Sequence, residues 1–400
     1  MRILVISDKP PWPGTSGGAV AVNAIIKGLL NNGAEVTVLS ASTKKHHPLA
    51  VNPDNNPVNL KRYETVKINT RITLLNLLIN LFFSRVPYNV IRFSSTRFRK
   101  KLMEILSRND FDIIQVEGIN MSLYIPLIKQ YSKASLSFRA HNIESEIWEE
   151  LAVGARCIAK RLYLKSLAAR MKEYEMKLIK ICDLIIPITE HDSLFFKKKG
   201  KDIPVFTCGF GVDPAPGSKT NKQHEQSLVY IGSLDWRPNQ EGIVWFLNKV
   251  WSQVQEACPN IKMRIAGRNA PGWLIRKFNQ AKVEFAGEVE DASAFIHAGT
   301  LLIVPLLSGS GIRVRIIQAM ALGIPVISTP KGIQGIDVQP GEELFVAHNP
   351  EEYKDHIVTL MNQRKIRNSV ITNAERFISE NYDNNKLTAG LLEFYSKQIT

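Results

Sequence analysis

Residues 300 to 328 read TLLIVPLLSGSGIRVRIIQAMALGIPVIS, and the order of signals along them is strand, glycine loop, helix, strand. Leu301 to Leu307 is an apolar run of the length and character of a buried strand. Ser308-Gly309-Ser310-Gly311 breaks it. Ile312 to Leu322 then has helical spacing, with Ile312, Ile316, Ile317 and Met320 on one face. Gly323 stands at the usual helix stop, and Pro325 opens a second buried strand that runs to Ser328. A glycine loop running into a helix start offers backbone N–H groups and a partial positive charge to an anion. Arg313 and Arg315 fall at that helix start, where cations oppose the helix dipole, and a bound anion would give them a reason to be there. Gln318 shares a face with Arg315 and lies about one turn deeper. Its amide is within reach of a hydroxyl beside a bound phosphate. The plainer alternative is an ordinary βαβ unit with two solvated arginines.

Working back from this stretch, the same alternation recurs. Leu228 to Ile231 reads as a strand, followed by Gly232-Ser233-Leu234-Asp235-Trp236-Arg237-Pro238-Asn239 and a helix from Gln240 to Val250. Strands at Lys262 to Ala266, with Gly267-Arg268 after it, and at Val283 to Phe285 complete the half. The N-terminal half begins again with a strand, Arg2 to Ser7. A stiff Pro10 to Gly14 loop follows, then Ser16-Gly17-Gly18 opening a helix, and a strand from Glu35 to Ser40. Further strands are expected near Val58 to Tyr63, at Phe111 to Glu117, Ser135 to Ala140, Asp183 to Ile188 and Pro204 to Cys208. Glu144 to Lys180 reads as one long helix. Alternating strands and helices without hairpin signals predict two α/β domains, each a Rossmann-like doubly wound parallel sheet. The expected boundaries are 1–212 and 227–375, with a polar linker over 213–226 and a C-terminal helical segment, 376–400, packing back on the first domain.

The chain has 400 residues, 44% of them hydrophobic and 22% charged, which is ordinary globular composition. Its formal net charge is +14, pointing to an acidic partner such as a phosphorylated small molecule or anionic lipid. No nucleic-acid-binding motif accompanies the charge, so no nucleic-acid partner is expected. Cys157, Cys182, Cys208 and Cys258 fit neither a metal pattern nor a disulfide framework, and reduced thiols in the cytoplasm are expected. No apolar signal core is seen, and the longest apolar stretch, Ile72 to Phe83, is too short to span a bilayer. Asp110-Phe111-Asp112 matches a D-x-D metal pattern but precedes its strand, so no metal is assigned. The segment Ile72 to Leu106 reads as helical pieces broken at Pro87. It carries basic residues and no acid until Glu104, a pattern that suits a helix on an anionic membrane surface. The bland alternative is a domain helix with snorkelling arginines.

The order and spacing of several pieces resemble glycosyltransferase family 4. They are Pro10 to Gly18 with the helix after it, Gly33 to Leu39, His141-Asn142-Ile143-Glu144 and Asp183 to Thr189. Gly211-Val212-Asp213, Tyr230 to Asn239, Ala266-Gly267-Arg268, Phe285-Ala286-Gly287 and Ser308 through Val326 complete the set. The resemblance implies a GT-B fold, two Rossmann-like domains facing a cleft. It implies retaining, metal-independent transfer of a sugar from a nucleotide diphosphate donor, a UDP- or GDP-sugar, to an acceptor hydroxyl. By position, His141, Arg313 and Arg315 are the expected catalytic residues. Gly17, Gly18, Gly232, Arg237, Gly267, Arg268, Ser310, Gly311 and Gln318 are the expected donor and diphosphate contacts. The family's two glutamates, eight positions apart, are here Ser310 and Gln318, so ribose binding is expected to be weaker. Arg313 matches a subgroup in which a small residue replaces the first glutamate.

Three other readings remain open from sequence. One is a GT-B protein that binds a nucleotide sugar or a partner without turnover. Another is an epimerase on the same fold, for which Glu117, Glu144 and Glu190 are the N-terminal carboxylate candidates. A nucleic-acid binder rests on charge alone. For the transferase, the charge suggests an anionic glycan or lipid-linked acceptor in surface polysaccharide synthesis, at the inner face of a membrane.

Overall fold

The computed structural model describes residues 1–12, 17–44, 60–155, 157–200, 202–213, 226–309 and 311–399. Most of the expected linker and Ser310 lie outside the described residues. The strands are β1 (Arg2–Ser7), β2 (Glu35–Ser42), β3 (Arg62–Lys67), β4 (Ile113–Glu117), β5 (Ser135–Ala140), β6 (Leu184–Pro187), β7 (Ser227–Ile231), β8 (Lys262–Ala266), β9 (Glu284–Gly287), β10 (Leu301–Val304), β11 (Val326–Ser328) and β12 (Phe345–Val346). The helices of the first part are α1 (Gly17–Asn31), α2 (Leu74–Phe83), α3 (Tyr88–Ile91), α4 (Thr96–Arg108), α5 (Ile125–Tyr131), α6 (Glu144–Val153), α7 (Ile158–Ile181) and α8 (Glu190–Lys199). Those of the second are α9 (Arg237–Lys249), α10 (Trp251–Ala257), α11 (Gly272–Gln280), α12 (Ala292–His297), α13 (Val314–Ala321), α14 (Pro350–Asn362), α15 (Arg364–Asn381) and α16 (Asn384–Ser396).

The strands form two six-stranded sheets, ordered β3-β2-β1-β4-β5-β6 and β12-β11-β10-β7-β8-β9. Every strand pair in both is parallel. Sheets covered on both faces need strands apolar on both faces, and Ile3 to Ile6, Leu301 to Val304 and Val326 to Ile327 are all fully buried. Each sheet reverses direction once, between β1 and β4 and between β7 and β10, and the crevice beyond the strand ends at such a reversal is where doubly wound sheets take ligands. This is the two-domain Rossmann-like GT-B architecture expected from the sequence.

The chain divides into two compact units, Met1–Gly211 with Asn384–Thr400, and Val212–Asp383. The expected boundary at 375/376 is corrected: α15 runs unbroken from Arg364 to Asn381, and the change of unit comes after Tyr382-Asp383. Helix α16 packs on α1 in the first unit. Asn384 Nδ2 donates to the Ala24 carbonyl at 2.8 Å, and Asn32 Nδ2 to Thr388 Oγ1 at 3.0 Å. A Cβ on Gly28 would collide with Thr388, so that glycine sets the approach of the two helices.

Three local expectations also change. The third described strand is Arg62 to Lys67, with Val66 as its buried residue; residues 58 and 59 of the expected Val58 to Tyr63 strand lie outside the described residues. Pro204 to Cys208 is reduced to an isolated bridge between Val205 and Ile185. The long helix expected over 144–180 is two, with Gly154 closing the first.

Candidate functional site

In the first unit the ends of β1, β4 and β5 bring a charged cluster together. Glu117 ends β4 and is 1% exposed, as is Arg139 of β5, whose Nη1 lies 3.3 Å from Glu117 Oε2. His141 follows β5, and its Nε2 lies 2.6 Å from the same oxygen. A carboxylate only accepts, so Nε2 carries a hydrogen and donates it to Glu117. Gln115 Nε2 donates to Glu117 Oε1, and Tyr395 of α16 donates to Gln115 Oε1 at 2.8 Å. Burial pushes the Glu117 carboxyl up, but the Arg139 charge and the bond from His141 outweigh it and hold the group at about 2. His141 is thus fixed by an ionised carboxylate and keeps 21% of its side chain exposed.

Around it stand Asp8, beyond β1, whose Oδ2 accepts from Asn120 Nδ2 at 2.8 Å, and Lys9, 3.6 Å from Asp8 Oδ1. Lys9 Nζ also lies against Gly18, which with Gly17 starts α1. Gly118 has φ +73, a conformation glycine adopts freely, and this lets β4 turn away beneath the His141 ring.

Glu144 opens α6, where its own N–H and that of Ser145 are capped by Glu175 of α7 at 2.7 and 3.0 Å. Burial, then the Glu175 charge, raise the Glu144 carboxyl to about 7. A raised value means the folded protein holds this proton until pH climbs through about 7, so the stabilising neutral form is lost above it. Glu144→Gln should match the parent below pH 4.5, the ordinary value for the group. Above pH 7 it should be the more stable by roughly 2–3 kcal/mol, read from urea midpoints. The same difference at both pH values would remove the titration from Glu144.

In the second unit the corresponding edge is built by glycines. A Cβ on Gly267 would collide with the Gly232 carbonyl oxygen, so the turns after β7 and β8 meet closely only without side chains. Arg268 Nε donates to Ser233 Oγ at 3.1 Å. After β10, Gly309 and Gly311 have φ +99 and +85 and turn the chain into α13. A Cβ on Gly309 would strike the Trp236 ring, over which the Arg313 guanidinium lies at 5.3 Å.

The two arginines differ from expectation. Arg313 is the cap residue of α13, which begins at Val314, and it is 8% exposed. Burial, with the neighbouring Arg315 charge second, lowers its guanidinium to about 10. Arg315 reaches back under the sheet edge. Its Nη1 donates to the Ile231 carbonyl at 2.5 Å and its Nη2 to Asn239 Oδ1 at 3.1 Å, with the guanidinium 5.1 Å over the Tyr230 ring. So Arg315 is a tie between β7, α9 and α13 as well as a cation. Gln318 lies half-buried one turn on. The Arg237 side chain is 81% exposed and pairs with Glu241 at 2.7 Å. Glu241 also accepts from Ser308 Oγ at 3.0 Å and so pins the glycine loop to α9.

His141, Gly17 and Gly18 lie in the first unit, and Gly232, Arg237, Gly267, Arg268, Gly311, Arg313, Arg315 and Gln318 in the second, Arg237 paired with Glu241. Among the described residues no group of three or more His, Cys, Asp or Glu is placed to hold a metal ion. Asp112 of the D-x-D pattern is used at the other edge of its sheet, accepting from the Arg2 N–H at 2.6 Å. Sequence reasoning missed Arg139, Asn239, Tyr230, Trp236 and Glu241 as partners. Only the paired placement of Glu117 and Arg139 at the ends of adjacent strands could have signalled the first.

Residues 225–363 match the family described as "Glycosyl transferases group 1". An uncharacterised 44.6 kDa protein in the cps region of Klebsiella pneumoniae is 23% identical, with 98% of this chain and 99% of the relative covered. Among solved structures, a sucrose-phosphate synthase from Thermosynechococcus elongatus superposes with a TM-score of 0.70 at 14% identity, covering 99% of this chain and 98% of that one. Anabaena HepE in complex with UDP-glucose does so with a TM-score of 0.63 at 14% identity, covering 99% and 100%. The matched domain together with this fold supports a glycosyltransferase.

Proposed function

We propose that this chain moves a sugar from a nucleotide diphosphate donor, a UDP- or GDP-sugar, to an acceptor hydroxyl with retention and without a divalent metal. The observation that carries the reading is the pair Arg313 and Arg315 behind the Gly309 and Gly311 loop at the start of α13, inside the segment matching group 1 glycosyl transferases. Burial, then the Arg315 charge, lowers the Arg313 guanidinium, and an anionic diphosphate at the loop relieves both costs. As the bond from the anomeric carbon to the diphosphate oxygen breaks, negative charge grows on the leaving phosphate. The arginine charges and the free N–H groups of the helix start stabilise it. The acceptor hydroxyl attacks from the same face, and its proton passes to the departing phosphate oxygen. In the first unit, His141, its ring fixed by Glu117, offers a half-buried polar group after the end of β5.

The HepE complex with UDP-glucose supports a uridine donor. The cps-region relative and the +14 charge support an anionic or lipid-linked glycan acceptor in polysaccharide synthesis. Free cysteines at 157, 182, 208 and 258 suit a reducing cytoplasm.

Isothermal titration with UDP, GDP, ADP and dTDP tests the donor site. Saturable binding of one nucleotide is the expected result and names the base. Binding of none would remove the donor reading. Binding with no consumption of the matching sugar nucleotide under any acceptor would favour the non-turnover alternative, with Gln318 in place of an acidic ribose ligand as its basis.

A further inference from the structure

Helix α2 has its polarity reversed. Its one buried residue is Asn80, whose Nδ2 donates to the Val86 carbonyl at 2.9 Å and whose Oδ1 and backbone oxygen accept from Arg170 Nη1 at 3.1 Å. Its apolar side chains point outward: Leu74, Leu75, Phe82 and Phe83 are 66–85% exposed, and Ile72, Leu78 and Ile79 are exposed beside them. A helix on a water-facing surface buries its apolar stripe. One pinned to its domain by an asparagine and two arginine contacts, with leucines and phenylalanines in solvent, is built to meet another apolar phase.

The surroundings select the phase. From Thr65 to Met103 the chain has eight Lys and Arg and no Asp or Glu. Arg71 and Arg85 flank α2 and are exposed. Helix α7, whose Arg170 also holds the Ser84 carbonyl at 3.2 Å, leaves Ile158 and Leu162 exposed, interleaved with exposed Lys160, Arg161 and Lys165. Two copies of such a face would bring like charges together, whereas an anionic bilayer complements both the charge and the apolar side chains. No helix among the described residues is long and apolar enough to cross a membrane, so α2 would lie in the interface.

Behind α2 is a cavity of about 370 Å³, lined by Arg71, Asn76, Asn80, Ser84, Tyr88 and Arg92 among others. The Arg92 Nε is buried there without a hydrogen-bond partner. Burial lowers the Arg92 guanidinium, and the nearby Tyr88 and Asp8 offset this only in part.

We propose that α2, with Arg71 and Arg85 at its ends, docks this protein on an anionic bilayer, and that the cavity behind it takes a lipid phosphate on Arg71 and Arg92. The inference goes beyond the transferase reading and stands without it. Docking would bring the first unit to lipid-linked acceptors.

Vesicle co-sedimentation at low salt tests it, with phosphatidylcholine alone or mixed with phosphatidylglycerol. The parent protein should bind the mixed vesicles and release as salt rises. Leu75→Glu with Phe82→Glu, both at exposed positions, should cut binding at least about tenfold. Arg71→Gln with Arg92→Gln should cut the preference for anionic vesicles by about thirtyfold, from about 1 kcal/mol per arginine. Unchanged thermal unfolding and nucleotide titration would show each variant folded. Parent protein that stays in solution, or a helix variant that binds equally well, overturns the docking surface. Full anionic preference in the arginine variant overturns the cavity. A dimer lost in the helix variant, with no vesicle binding, would give the face to a second copy.

Discussion

Glu117→Gln should destabilise the first unit by about 3–5 kcal/mol, the cost of removing one partner from a buried ion pair. The substitution keeps the shape of the side chain and deletes only its charge. Arg139, 1% exposed, then loses its ion pair with Glu117 and, among the described residues, keeps the Cys208 and Gly209 carbonyls at 3.3 and 3.1 Å. His141 loses the acceptor that fixes its ring. Thermal unfolding should fall by roughly 10 °C for a unit of this size. The pH dependence carries the sign. The folded value is about 2 against an ordinary 4.5, so the contribution is present above 4.5 and lost as pH falls through about 2. Acidification should therefore narrow the gap between parent and variant. A gap below about 1 kcal/mol at neutral pH would place this cluster with the buried pairs that contribute little net stability.

This cluster also marks where sequence reading stops. Both sheets were legible because buried parallel strands leave continuous apolar runs, as in Arg2 to Ser7 and Leu301 to Val304; their strand orders were not. His141 was legible by its place after β5. What held it was not, because Glu117 and Arg139 are 22 residues apart and meet only through strand pairing of β4 with β5. Arg313 and Arg315 were visible as cations opposing a helix dipole. Their destinations were not: Arg315 turns back to Ile231 and Asn239, over 70 residues upstream. Arg237, at the first turn of α9, has Glu241 four residues on as a local partner, and that i,i+4 pairing was legible in the sequence. The reversed polarity of α2 was half legible. Its apolar and basic composition stood out, but an asparagine as the buried residue breaks the rule by which helix faces are assigned.

Arg315→Ala should weaken binding of the matching nucleoside diphosphate about 100-fold, while Arg99→Ala, on the exposed face of α4, should leave it within about twofold. Two effects add at Arg315. The variant removes a cation from beside the glycine loop and the start of α13, and it frees the Ile231 carbonyl and Asn239 Oδ1, which hold the turn at Gly232. Arg315→Lys separates them. A lysine keeps the charge but cannot bridge both oxygens with a planar fork. If the charge acts on the diphosphate, the lysine variant should recover most of the affinity although its unfolding temperature drops with that of the alanine variant. If Arg315 only braces the turn, affinity should follow stability in both. Because Arg313 is depressed partly by its neighbour, Arg315→Ala should also bring Arg313 back toward its ordinary value. Arg313 would then hold the anion alone, which keeps the loss finite. Equal losses in Arg315→Ala and Arg99→Ala would take the diphosphate site away from α13.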